Sequence, residues 1–316
     1  MPAKLTVFPA GGASRHFILR DGQSRQAGRD PGTNDLVIDD PRVSARHARV
    51  EWTGRGWSLR DLDSKNGTFV AGRPAGTAPL EDEDWLSFGG LLAHFEIVSE
   101  EDIQVLESDR KRRLQTSVEI TEELATESDP RALLERLLQS VVSLTSAERG
   151  FVLLIGPEGT LAAEVASGFA AGATFDEGFE GSFGAIERVL ATGESVVASD
   201  APSDAFLGRR PSVLEQRITT LACVPLRSGD RMIGLIYVDG RSPGSAFTDL
   251  DLEILEALAG NVAVVLSTVR IDREIRELLA DGRESASGDR SFLESFERRV
   301  AELTRNAAHA IRAAPE

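Results

Sequence analysis

Over the first hundred residues the apolar side chains come in short alternating runs: Leu5–Phe8, Arg15–Leu19, Asp35–Ile38, Ala48–Trp52, Trp57–Asp61, Thr68–Val70 and Leu91–Val98. Gly, Asp, Asn and Pro separate these runs at close intervals, and none has helical period. The pattern predicts an all-β sandwich of antiparallel strands over residues 1–99, with its loops free for function. From Glu100 the pattern changes. Ile103, Leu106, Leu114, Ile120 and Leu124 stand near helical spacing in a charged stretch, so 100–129 is expected to be a connecting helix, alone or as a short coiled coil.

Residues 130–270 alternate between the two periods. Asp129 is placed to cap a helix opening at Pro130, whose apolar face is Leu133, Leu134, Leu137, Leu138, Val141 and Val142. Strands are expected at Phe151–Ile155, Leu161–Ala166, Ser195–Ala198, Thr220–Leu226 and Met232–Val238, with a helix at Phe183–Ala191 ended near Gly193. Thr248 with Asp251 makes a capping box for a last long helix running to about Ala280, where Asp281-Gly282 is expected to stop it. In the remaining segment, 271–316, a polar linker leads to a C-terminal amphipathic helix marked by Phe292, Phe296, Val300, Leu303, Ala307 and Ile311.

Composition narrows the chemistry. The 316 residues carry 35 Lys+Arg against 51 Asp+Glu, a net charge of −16 that argues against direct nucleic-acid or membrane-surface binding. The single Cys223 excludes a disulfide framework, and the first thirty residues hold no apolar run resembling a signal peptide, so a cytoplasmic location is expected. The four histidines, His16, His47, His94 and His309, form no metal-ligand spacing, and no Gly-Lys pair exists to build a Walker A loop. With so few His and Lys no nucleophile-base-acid set can be assembled, so neither a metal site nor an enzyme is expected. The charge is unevenly spread: twelve basic and thirteen acidic side chains leave residues 1–99 at −1.

That near-neutral third carries three patterns in order: Gly28-Arg29, Val43-Ser44-Ala45-Arg46-His47-Ala48, and Asp61-Leu62-Asp63-Ser64-Lys65-Asn66-Gly67-Thr68. An Arg fork, a Ser hydroxyl, a second cation and an Asn on neighbouring loops are what is needed to hold a phosphate dianion and the backbone beside it. Taken singly, Arg29 would be a surface ion-pair partner and Asn66-Gly67 a hairpin turn; their joint occurrence favours phosphopeptide binding.

Together these residues resemble the forkhead-associated (FHA) domain over about residues 3–98. The resemblance implies an eleven-stranded sandwich whose loops bind a phosphothreonine protein or peptide without catalysis. Arg29 and Ser44 would contact phosphate and Asn66 the peptide backbone, while Arg46 or Lys65 adds charge. Gly28, His47, Gly67 and Thr68 would be structural in these loops. Ala45 brings no polar group where some relatives have a further contact, and Lys65 replaces a small polar residue.

Val224-Pro225-Leu226, Gly234-Leu235-Ile236-Tyr237-Val238-Asp239 and Phe247-x-x-x-Asp251 make residues 130–270 resemble a GAF domain. That implies an α/β fold with an antiparallel sheet that binds an unidentified small molecule or serves as a dimerising scaffold. Asp239-Gly240-Arg241 and Leu252 disfavour a cyclic nucleotide, and the absence of His between His94 and His309 disfavours haem and weakens a bilin pocket. Phe169, Phe175, Phe179, Phe183, Phe206 and Cys223 are the candidates to line a cavity, ordinary core being the alternative; Cys223 reads as a buried thiol.

The whole predicts a non-catalytic signalling adaptor, a homodimer working in a Ser/Thr kinase pathway. The alternative is the sensory part of a transcription activator or nucleotide cyclase whose output domain lies elsewhere. Thr116, Thr121 and Thr126, set among glutamates, read as solvated helix-surface residues. Their phosphorylation would otherwise create a ligand for the Arg29 pocket of the same chain or of a dimer partner.

Overall fold

Period-two alternation in the N-terminal third becomes eleven short strands in the computed structural model, which describes residues 1–284 apart from 10, 146, 157–159, 170–180, 205–206, 209 and 243–245. These are β1 (Ala3–Phe8), β2 (Arg15–Leu19), β3 (Ser24–Gly28), β4 (Leu36–Val37), β5 (Ala48–Trp52), β6 (Trp57–Asp61), β7 (Thr68–Val70), β8 (Arg73–Pro74), β9 (Thr77–Leu80), β10 (Asp84–Phe88) and β11 (Leu91–Ile97). One sheet runs β2-β1-β11-β10-β7-β8 and the other β4-β3-β5-β6-β9. Leu5, Leu19, Leu86, Phe88 and Phe95 of the first sheet and Val50, Trp57 and Leu59 of the second are buried in a common core.

Four of these strands are absent from the hydrophobic pattern. β8 and β9 carry Pro74 and Pro79, which removed them from a pattern-based reading; each closes an edge of its sheet, where proline costs no ladder bond. β3 reads as polar, yet its backbone pairs with β5 through Gln26↔Arg49 and Ala27↔Ala48. β10 alternates Leu86 and Phe88 inward behind an acidic turn.

Helix α1 (Glu100–Ala125) begins at a capping box: Asp102 accepts the Ser99 N–H at 2.9 Å and Ser99 Oγ accepts the Asp102 N–H at 3.0 Å. Ile103 and Leu124 are buried while Val105 and Val118 are exposed. Thr121 and Thr126 donate their hydroxyls back to the carbonyls of Ser117 and Glu123, as helix-surface threonines do.

The second domain has a five-stranded sheet in the order β13-β12-β16-β15-β14, from β12 (Arg149–Ile155), β13 (Leu161–Ser167), β14 (Val196–Ala198), β15 (Thr220–Ser228) and β16 (Arg231–Gly240). β12 and β13 are antiparallel. Helix α2 (Pro130–Leu144) is capped by Asp129, which accepts the Ala132 N–H at 3.1 Å, and buries Leu133, Leu134, Leu137, Leu138 and Val141. Helix α3 (Phe183–Thr192) ends at Gly193 in the left-handed conformation, φ 71°. A short α4 (Pro211–Glu215) precedes β15. Helix α5 (Asp249–Glu284) starts at the Thr248–Asp251 box and buries Leu255, Leu258 and Val262, which makes its apolar stretch a core face. It does not stop at Asp281-Gly282: a helix already more than thirty residues long tolerates an interior Gly at about 1 kcal/mol. The amphipathic segment from Phe292 to Ile311 lies outside the described residues.

Candidate functional site

The three motif loops leave the ends of β3, β5, β6 and β7 and are tied to one another by main-chain bonds. Arg29 N–H donates to the Ser44 carbonyl at 3.0 Å, Asp30 N–H to Ala45 at 3.2 Å, and Leu62 N–H to His47 at 2.9 Å. Gly28 is required by this closeness. A Cβ there would lie 2.4 Å from the Ala45 oxygen and 2.6 Å from Asn34 Oδ1.

His47 is fully buried and joins two loops. Its Nδ1 accepts the Ser44 N–H at 3.0 Å and its Nε2 lies 3.3 Å from the Gly67 carbonyl, so the neutral ring carries its proton on Nε2. Burial holds this imidazole below its ordinary range against the opposing pull of the Gly67 carbonyl and Asp61. Its edge meets the Phe88 ring at 5.7 Å.

Ser44 Oγ accepts the Lys65 N–H at 2.9 Å. The acceptance occupies a lone pair and leaves the hydroxyl proton to donate to an anion. Beside it Arg29 is exposed, and neither its guanidinium nor the Lys65 ammonium has a carboxylate partner among the described residues. Asn66 gives its amide nitrogen to the Arg42 carbonyl at 2.8 Å, which leaves its oxygen to accept. Arg46 extends over Gln26, reaching Oε1 at 3.3 Å.

Further supports lie both outside the motifs, at Asn34, Asp40 and Gly89, and within them, at Asp61 and Gly67. Asn34 donates to the carbonyls of Asp30 (2.7 Å) and Ala45 (2.5 Å), clamping the Arg29 loop to the Ser44 loop. Buried Asp40 takes both ends of the Arg42 fork, at 2.9 and 2.8 Å, and that guanidinium holds its carboxyl below the usual carboxylate range. Asp61 accepts Ser64 Oγ at 2.6 Å and the Thr68 hydroxyl; burial pushes its carboxyl up, but these bonds prevail and it lies low. Gly67 and Gly89 hold positive φ, +80° and +63°, and Gly89 donates its N–H to the Gly67 carbonyl at 2.9 Å.

In the second domain two of the phenylalanine candidates are described. Phe169 is half-buried, 5.6 Å from the Phe151 ring with the Arg149 guanidinium 4.5 Å over its face. Phe183, at the first position of α3, is 41% exposed, because that helix turns Ala185, Ile186 and Val189 inward. Cys223 is fully buried mid-strand and burial pushes its thiol far up. Phe175, Phe179 and Phe206 lie outside the described residues.

Comparison with known proteins agrees with this division. The FHA domain model matches residues 26–89 and the GAF domain model residues 129–266. Over 87 residues the chain is 34% identical to the oxoglutarate dehydrogenase inhibitor of Corynebacterium jeikeium, covering 28% of this chain and 59% of that protein. It is 36% identical, also over 87 residues, to the glycogen accumulation regulator GarA of Mycolicibacterium smegmatis, covering 28% and 54%. The chain thus spans little more than half the length of these curated relatives. A solved structure of Mycobacterium tuberculosis EmbR in complex with a low-affinity phosphopeptide is 30% identical, covers 31% of this chain and 25% of that one, and gives a TM-score of 0.28. Residues 26–89 thus form an FHA domain, and residues 129–266 that follow them a GAF domain.

Proposed function

We propose that this protein is a non-catalytic signalling adaptor whose FHA domain captures phosphothreonine segments of partner proteins made by a Ser/Thr kinase. Its GAF domain senses a small molecule or pairs two copies of the chain. Arg29 supplies a bidentate fork, Ser44 a hydroxyl donor and Lys65 a further positive charge to the phosphate, while Asn66 accepts from the main chain beside it. The curated relatives named above are called a regulator and an inhibitor, which supports a binding role.

One observation carries this reading. Ser44 has its oxygen occupied by the Lys65 N–H and its carbonyl by the Arg29 N–H, so the two residues are held on adjacent loops, and among the described residues the Arg29 guanidinium has no carboxylate to neutralise it. Titration of the full chain with a phosphothreonine peptide library tests it. Selective binding of the phosphorylated forms, lost in Arg29→Ala, is expected. Equal affinity for unphosphorylated peptides, or undiminished binding by Arg29→Ala, would sink the proposal.

A further inference from the structure

Beyond the phosphate loops, the outer face of β5 and β6 holds a second group of unpaired cations. Arg49 and Arg60 stand directly opposite each other in the antiparallel ladder. Like charges in that position repel, and natural sheets usually set opposite charges there. Neither has a carboxylate partner among the described residues, in a protein with 51 acidic side chains. Arg46 and Arg60 line one surface cavity of about 360 Å³ with Asp61, Leu62 and Asp63. Asp61 is already engaged by Ser64 and Thr68, which leaves Asp63 as the one lining carboxylate without a bond in that cavity, against two guanidiniums and the neighbouring Arg49.

This strip is continuous with the phosphate site. Arg46 lies two residues beyond Ser44, and β6 runs out through Asp61 into the Lys65–Asn66 loop. An extended peptide advances about 3.3 Å per residue, so a flank of a few residues on a segment anchored at Arg29 and Ser44 has the length to reach the neighbouring Arg46 and Arg60. We infer that the β5–β6 face is a second anion-recognition strip that selects phosphothreonine segments flanked by a further anionic group, a carboxylate or a second phosphate ester. The inference rests on the phosphothreonine reading of the Arg29 site. It names the partner as an acidic or doubly phosphorylated segment, and it accounts for a repulsive arginine pair kept without an internal counter-charge.

The test uses the full chain and three peptides sharing one phosphothreonine core: flanks of Asp and Glu, flanks of Asn and Gln, and a second phosphothreonine in a neutral flank. Calorimetry at low and moderate salt should show the carboxylate-flanked and doubly phosphorylated peptides each binding about tenfold or more tightly than the neutral one, with a steeper loss of affinity as salt rises. The double variant R49Q/R60Q should bring all three to the neutral peptide's affinity. Its thermal midpoint should not fall, since the substitution relieves like-charge repulsion. Parity of the three peptides in the wild type, or a preference that survives R49Q/R60Q, would overturn the inference while leaving the Arg29 site standing. Preference for the doubly phosphorylated peptide alone would assign the strip to phosphate esters and remove the carboxylate arm. Failure of every phosphopeptide to bind would overturn both readings. Competition by a single-stranded oligonucleotide as effective as the acidic peptide would overturn the inference by making the strip a general polyanion surface.

Discussion

The Ser44 backbone N–H donates to Nδ1 of His47, 3.0 Å away, so the loop that carries the proposed phosphate donor is positioned by a buried ring. That ring is neutral because it is buried. A buried neutral imidazole ties stability to pH in a definite direction: just below the ordinary histidine value of 6.5 the unfolded chain binds a proton that the folded domain does not.

The contribution of His47 is therefore complete above pH 6.5 and is lost progressively as pH falls below it. Urea unfolding of the peptide-free protein at pH 7.5 and 5.5, compared with His47→Asn, is the measurement. The variant keeps an acceptor near Nδ1 and cannot titrate. The wild type should lose stability more steeply, by up to about 1.4 kcal/mol per pH unit per proton. Equal slopes would show that His47 is not held neutral.

Ser44 accepts the Lys65 N–H, and in the proposed function its hydroxyl also donates to phosphate. Ser44→Ala removes the acceptor of the Lys65 N–H as well as the donor to phosphate, and should cost about 1 kcal/mol of stability along with at least about tenfold in phosphopeptide affinity. Ser44→Thr retains the hydroxyl and should keep most of both. If Ser44→Ala binds the phosphopeptide as the wild type does, the hydroxyl is only a loop strut.

Gly28→Ala should damage the fold more than the chemistry. The added methyl meets the Ala45 carbonyl at 2.4 Å and the Asn34 side chain at 2.6 Å, and the first of these is backbone that cannot swing aside. A loss of about 1–3 kcal/mol is expected, read as a fall of several degrees in the thermal midpoint of the FHA domain. An unchanged midpoint would mean that the β3 and β5 loops are further apart than described.

The residues proposed to touch the ligand were chosen from the sequence, because a phosphate site needs Arg, Ser and Asn on turn-rich loops and those types stand out by themselves. Supports inside the motifs, Gly28, His47, Gly67 and Thr68, were legible with them; those outside were not. Asn34 donates to the Ala45 carbonyl eleven residues on, and a Cβ at Gly89 would meet the Arg42 carbonyl; each joins separate loops through a residue type common in any turn. The same physics separates the strands. β1, β5 and β6 announce themselves by alternating apolar and polar side chains, whereas β3 is held by its backbone ladder and β8 and β9 tolerate proline because they close sheet edges. The second domain shows both outcomes. The Thr248–Asp251 box and the Gly193 cap sit where their local chemistry put them, while Asp281-Gly282 failed to end α5 because a local stop signal is weak beside a long established helix.

Asn34 offers the sharpest separation between scaffold and ligand. Its amide nitrogen bridges the Asp30 and Ala45 carbonyls, and those bonds set the distance between Arg29 and Ser44. Asn34→Asp puts two acceptor oxygens where both neighbours are also acceptors, so the clamp becomes a repulsion that opens the loop pair. Asn34→Ala loses the bonds without that repulsion. Stability should fall by about 1–3 kcal/mol in Asn34→Ala and further in Asn34→Asp. Phosphopeptide affinity, measured at a temperature where both variants remain folded, should fall in the same order although Asn34 is not among the proposed ligand-binding residues. Affinity retained in both variants would mean that Arg29 and Ser44 bind phosphate independently, and that the clamp serves the fold alone.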